Sequence, residues 1–118
     1  TPRYQHWYDI SMGSAEAHVS LTVNSVKDTV VCELYISKNK PLFNFLSGQK
    51  NKIESEIDEE IEWTDSNVAS IIKIKKEFQN ILNLDNSNNV FEWLYQKTKL
   101  FQSVFSKYLK EYKNINNE

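Results

Sequence analysis

With 118 residues, 40% of them hydrophobic and 25% charged, the chain is sized for one domain around a single core. A net charge of -2, with Arg3 the sole arginine, excludes a simple basic nucleic-acid binder. The single cysteine, Cys32, excludes an internal disulfide and leads us to expect a reducing, cytoplasmic setting.

No run of eighteen apolar residues occurs, so no membrane contact is expected from this chain. It opens at Thr1-Pro2 without Met, so a fragment or processed piece of a longer protein is expected. The expected organisation is one domain over residues 1–113 and a frayed tail over 114–118.

The first third alternates with period two. Tyr8, Ile10 and Met12 form one apolar set, Ala17, Val19, Leu21 and Val23 a second, and Val30, Cys32, Leu34 and Ile36 a third. These are three half-buried strands joined by short loops. Pairing Met12 with Ala17 brings Ile10 opposite Val19 and Tyr8 opposite Leu21. Pairing Val23 with Val30 brings Leu21 opposite Cys32 and Val19 opposite Leu34. Every apolar set then falls on one face, and a one-residue slip would destroy that agreement. The other face receives three rows: Ser11, His18 and Tyr35; Asp9, Ser20 and Glu33; Trp7, Thr22 and Val31. His6 falls on the core side, near Val23.

Asn39 is a suitable N-cap and Pro41 suits a first helical turn. Leu42, Leu46, Ile53 and Ile57 then mark one helical face to about Asp58, interrupted at Gly48. The segments "EIEW" (Glu60–Trp63) and "SIIKIKK" (Ser70–Lys76) are expected to be strands around the turn "TDSN". The second is Lys-rich on one face, which suits an edge or exposed strand. "LDNSNN" is expected to be a loop. From Val90 onward, Phe91, Leu94, Thr98, Phe101, Phe105 and Tyr108 predict an amphipathic helix. The fold expected is α+β: an antiparallel sheet of about five strands, made of a three-stranded meander, a helix, two strands and a C-terminal helix. The helices cover one face.

Function is less constrained. His6, Asp9, His18 and Glu33 are metal-ligating types, but the register sends the two histidines to opposite faces, and no metal or other cofactor is expected. Asp9 and Glu33 lie two strands apart, about 10 Å, which is compatible with water-mediated carboxylate chemistry. Nothing in the sequence raises either pKa specifically, however, and a solvated sheet face is expected. Cys32 lies on the buried face, away from His18. Gly13 and Gly48 are the only glycines, which excludes a Gly-rich phosphate loop. No catalytic residue is therefore assigned. Two binding surfaces remain. Trp7, Asp9, Ser11, His18, Ser20, Glu33 and Tyr35 form a sheet face richer in rings and small hydroxyls than a solvated face. Lys73, Lys75, Lys76, Lys97 and Lys99 could meet phosphates as point charges.

The strings "HWYDISMGSAEAHVSLTVN", "CELYI", "LFNFLSGQKNKIESEI", "EIEW" and "FEWLYQKTKLFQSVFSKYL" resemble the domain-of-unknown-function family 4268 over nearly the whole chain. The resemblance implies a C-terminal module, often following a part similar to restriction-type or repair endonucleases. It implies no established activity and no catalytic residues. Two departures stand out: Ile71-Ile72 where relatives tend to have Arg-Ile, and Asp58 where a Gly usually follows the first helix. The expected role is a non-catalytic accessory module of a nuclease-like or defence-type protein, contacting nucleic acid or a nucleotide signal. The alternative is a protein-interaction or dimerisation domain using the Trp7/Tyr35 face, toward a second copy or an upstream nuclease-like domain.

Overall fold

A computed structural model describes residues 5–12, 16–81 and 83–116, with side chains for all of these except 5–8, 84–87 and 116. The elements run β1 (Gln5–Ser11), β2 (Ala17–Asn24), β3 (Thr29–Ser37), α1 (Lys40–Ser47), α2 (Lys50–Ile57), β4 (Glu62–Asp65), β5 (Ala69–Glu77) and α3 (Leu84–Asn116). The five strands form one antiparallel sheet in the order β1-β2-β3-β5-β4. The α+β architecture expected from the sequence is the one observed.

The meander has the expected register: Ile10 is opposite Val19, Val19 opposite Leu34 and Leu21 opposite Cys32. Its second turn is set by Asn24, whose Oδ1 accepts from the backbone N–H groups of Val26 and Lys27, each at 3.1 Å. Asp28 completes the turn in the left-handed conformation, at φ 52, which a short polar side chain tolerates. Asp28 also ties the turn to the chain beyond β5, because its Oδ1 accepts from Ile81 N at 3.0 Å.

Val19, Leu34, Ile72 and Ile74 bury their side chains on the face that meets the helices. Leu42, Leu46, Ile53, Ile57, Leu94, Phe101, Phe105 and Tyr108 supply the other half of that core. The helices begin and end for local reasons. Asn39 Oδ1 accepts from Leu42 N at 3.0 Å, and Pro41 stands in the first turn of α1. At Gly48 the segment read as one helix breaks into α1 and α2. Asp58 closes α2 at φ 56, a left-handed C-cap that glycine fills without strain.

Three expectations need correction or narrowing. The fourth strand is Glu62–Asp65, not Glu60–Trp63: Ile61 reaches the core before pairing starts. Of the two placements expected for the fifth strand, an edge or an exposed strand, the second holds, since it lies between β3 and β4 with Lys73 and Lys75 on the open face. Pairing with β4 covers only Ser70 to Lys73, however, so the Lys75 end keeps some edge character. The last helix starts at Leu84 within the expected loop, and it continues to Asn116 through part of the expected frayed tail. Phe91 is also off the buried stripe, at 68% exposed. Val90 fills the place one turn before Leu94, which is the better match to helical spacing.

Candidate functional site

The sheet has a second face, and the three helices lie on the other one. Its rows follow directly from the pairing. Ser11, His18, Tyr35, Ile71 and Thr64 form one row; Asp9, Ser20, Glu33, Lys73 and Glu62 form the next. Thr22, Val31 and Lys75 form the third, which Trp7 joins by backbone pairing. Asn24, Thr29 and Glu77 complete the fourth. The side chains of Trp7 and His6 lie outside those described.

The first row is aromatic. The His18 and Tyr35 rings stack with centroids 5.2 Å apart and planes 30° apart. Both are half-buried, and Ile71 beside Tyr35 is half-buried too. Asp9 reaches diagonally to His18, with Oδ1 3.5 Å from Nε2. An exposed pair of that kind contributes little stability, so it orients the ring more than it anchors the fold.

The middle of the face is polar yet shielded. Ser20, Thr22 and Glu33 are all buried. Burial pushes the Glu33 carboxyl above its ordinary value; Lys73 and His18 oppose the rise and Asp9 adds to it. A carboxyl so placed can donate or accept a hydrogen bond according to its protonation. Thr22 Oγ1 is buried without a hydrogen-bond partner.

Toward the turn after β2 the face sinks into an open groove of about 420 Å³, lined by Thr22, Asn24, Lys27, Thr29, Val31, Glu33, Lys73, Lys75 and Glu77. Glu62 of β4 lies at its side, its carboxylate 3.3 Å from Lys75 Nζ and 3.7 Å from Lys73 Nζ. Thr29 Oγ1 donates to Lys27 O at 3.0 Å.

The five lysines named from the sequence do not share a surface. Lys73 and Lys75 point to the open face. Lys76 alternates away from them and lies over the Phe78 ring, 5.4 Å from its centroid. Lys97 and Lys99 are on α3; Lys97 is held 2.6 Å from Glu59, and Lys99 lies over Tyr95. By contrast, Asp9, Ser11, His18, Ser20, Glu33 and Tyr35 do come together on one face, as the alternation predicts. Sequence reasoning missed Asn24, Lys27, Thr29, Glu62 and Glu77. The signal was available once β5 is paired to β3, which carries each row across to the lysines.

Among the described residues, no group of three or more His, Cys, Asp or Glu side chains is arranged to hold a metal ion. Cys32 is buried, and its thiol is pushed up to about 12, chiefly by burial, so it is no nucleophile at neutral pH.

The molecule is thus an α+β domain whose helix-free sheet face combines a ring stack with a polar groove. Residues 1–109 match the family described as Domain of unknown function (DUF4268), and the chain belongs to that family. No curated protein and no solved structure matches it.

Proposed function

We propose that this domain is a non-catalytic binding module of a longer, nuclease-like or defence-type cytoplasmic protein, and that its open sheet face contacts nucleic acid or a nucleotide. The observation that carries this reading is the burial of Ser20, Thr22 and Glu33 on a face without helices. A sheet face that merely meets water carries exposed polar residues. Here polar groups are held away from solvent beside two half-buried rings, the composition of a contact surface. Lys73 and Lys75 supply the cationic groups, with Lys27 at the groove edge. Lys97 and Lys99, on the helical side, take no part.

The row His18, Tyr35 and Ile71 favours a second reading, a protein contact with another copy or an upstream domain. Rings and a branched aliphatic side chain together suit an apolar partner.

Fluorescence anisotropy with labelled single-stranded and duplex oligonucleotides, beside gel filtration, separates the two. On the first reading, binding weakens steeply with salt and is lost in the Lys73→Gln/Lys75→Gln double variant. On the second, self-association is salt-tolerant and Tyr35→Ala abolishes it. A wild-type protein that shows neither behaviour rejects the proposal.

A further inference from the structure

We propose that the groove end of the open face binds a small phosphate-bearing molecule. Its anionic group lies between Lys73 and Lys75, in the place that Glu62 occupies, and its polar body reaches Thr22. This rests on the reading of the open face as the contact surface.

Two independent observations converge on it. The first is Thr22. Its hydroxyl is buried and unpartnered, on a residue that lines the groove and is 5% exposed. Buried hydroxyls without partners are uncommon in folded proteins and call for a physical reason. The other such atom among the described residues, Thr98 Oγ1, is on α3, away from this face. A hydroxyl of the ligand's polar body at Thr22 would complete its hydrogen bonding.

The second is the arrangement of Glu62. One carboxylate stands between two ammonium groups, with separate oxygens toward Lys73 and Lys75. The two lysines therefore already embrace an oxyanion. Glu62 and Lys75 are exposed, and a carboxylate so placed gives way to a competing anion at small cost. Phosphate brings more charge and more acceptor oxygens than a carboxylate, so it is the better occupant. Register sets the scale of the ligand. Thr22, Val31 and Lys75 lie in one row, so Thr22 and Lys75 are two strand spacings apart, about 10 Å. A lone phosphate does not span that distance, whereas a phosphorylated sugar or nucleoside does. Val31 stands at the middle of the span, and Glu33, one row along, lines the groove as an acceptor for hydroxyls. The groove volume is within the range of small-ligand sites.

The test uses the full chain in backbone-amide NMR titrations with inorganic phosphate and with adenosine 5′-monophosphate. Chloride at matched ionic strength is the control. Saturable shifts at Thr22, Val31, Lys73 and Lys75 are expected with both phosphate probes, the mononucleotide binding more tightly. Lys75→Gln should weaken both at least tenfold, and Glu62→Gln should tighten both. Thr22→Val should weaken the mononucleotide roughly tenfold, the value of one buried hydrogen bond, and leave phosphate unchanged. It should also keep or raise Tm, because it removes an unsatisfied hydroxyl. A loss of Tm in Thr22→Val would show that the hydroxyl has a structural partner and overturn the argument. So would shifts that chloride reproduces, or unaltered binding in Lys75→Gln. Oligonucleotide binding through this face with no mononucleotide binding would leave the proposed function standing and defeat the small-ligand site.

Discussion

Leu34 and Tyr35 are consecutive in β3 and point to opposite faces, so a pair of alanine substitutions tests the architecture at one point in the chain. Leu34 is fully buried, between Val19 and Ile72 in the sheet and beneath the helices. Leu34→Ala removes three carbon groups, which at about 0.8 kcal/mol each is a transfer loss of roughly 2.4 kcal/mol. Strands on both sides limit collapse of the site, and the residual cavity should bring the total to about 4 kcal/mol. That is a large share of the 5–15 kcal/mol typical of whole domains. Tyr35→Ala removes a half-buried ring whose stack with His18 is worth about 0.5–1.5 kcal/mol. Urea denaturation with two probes, circular dichroism and tryptophan fluorescence, measures both. Leu34→Ala is expected to lower the midpoint sharply and Tyr35→Ala slightly. Equal losses in the two variants would mean that the Tyr35 side is also core, and the description of an open face would fail.

Asp58→Gly should raise stability by about 0.5–1 kcal/mol, visible as a higher Tm, because it relieves a left-handed C-cap that a Cβ disfavours. Glu33 has a raised carboxyl pKa in the folded state, so its contribution is fully present below the ordinary value of 4.5 and is lost as pH rises through the folded value. Denaturation at a series of pH values should show that loss in the wild type, and Glu33→Gln should remove it. Glu56 behaves oppositely. Hydrogen bonds from Lys107 and then Tyr108 hold its carboxyl below the ordinary value, so its stabilisation is present above 4.5 and fades as the solution is acidified below it. Tyr108→Phe, which deletes the 2.6 Å bond to Glu56, should weaken that acid dependence. Cys32 should resist a thiol reagent in native buffer and react stoichiometrically in denaturant; fast native labelling would contradict its burial.

The meander was legible because two constraints agree: strict alternation fixes the faces, and short loops fix the register. Only one pairing puts Ile10, Val19, Leu21, Cys32 and Leu34 together, and it is the observed one. Helix α1 was legible through local chemistry at Asn39 and Pro41. The start of α3 was not, because Asp85, Asn86, Ser87, Asn88 and Asn89 favour turns in isolation. Their place in a helix follows from the long apolar stripe beyond them. The place of strand β5 stayed open between an edge and an exposed strand because lysines at alternate positions suit either. Deciding between these needs the β3–β5 pairing, a contact between segments about forty residues apart that no local pattern encodes. The same gap hid half of the groove. The ring-bearing half of the face lay within the meander and was visible; the half built from Lys73, Lys75 and Glu62 depended on long-range pairing.

The claim that the open sheet face is where this domain binds is tested most directly by mapping backbone-amide shifts in the full chain. The map is recorded on adding a short oligonucleotide and, separately, on raising the protein's own concentration. The account predicts perturbations clustered at Thr22, Val31, Glu33, Tyr35, Lys73 and Lys75, with α3 silent. Perturbations centred on Phe91, Tyr95 and Lys99 of α3, with the sheet silent, would contradict it.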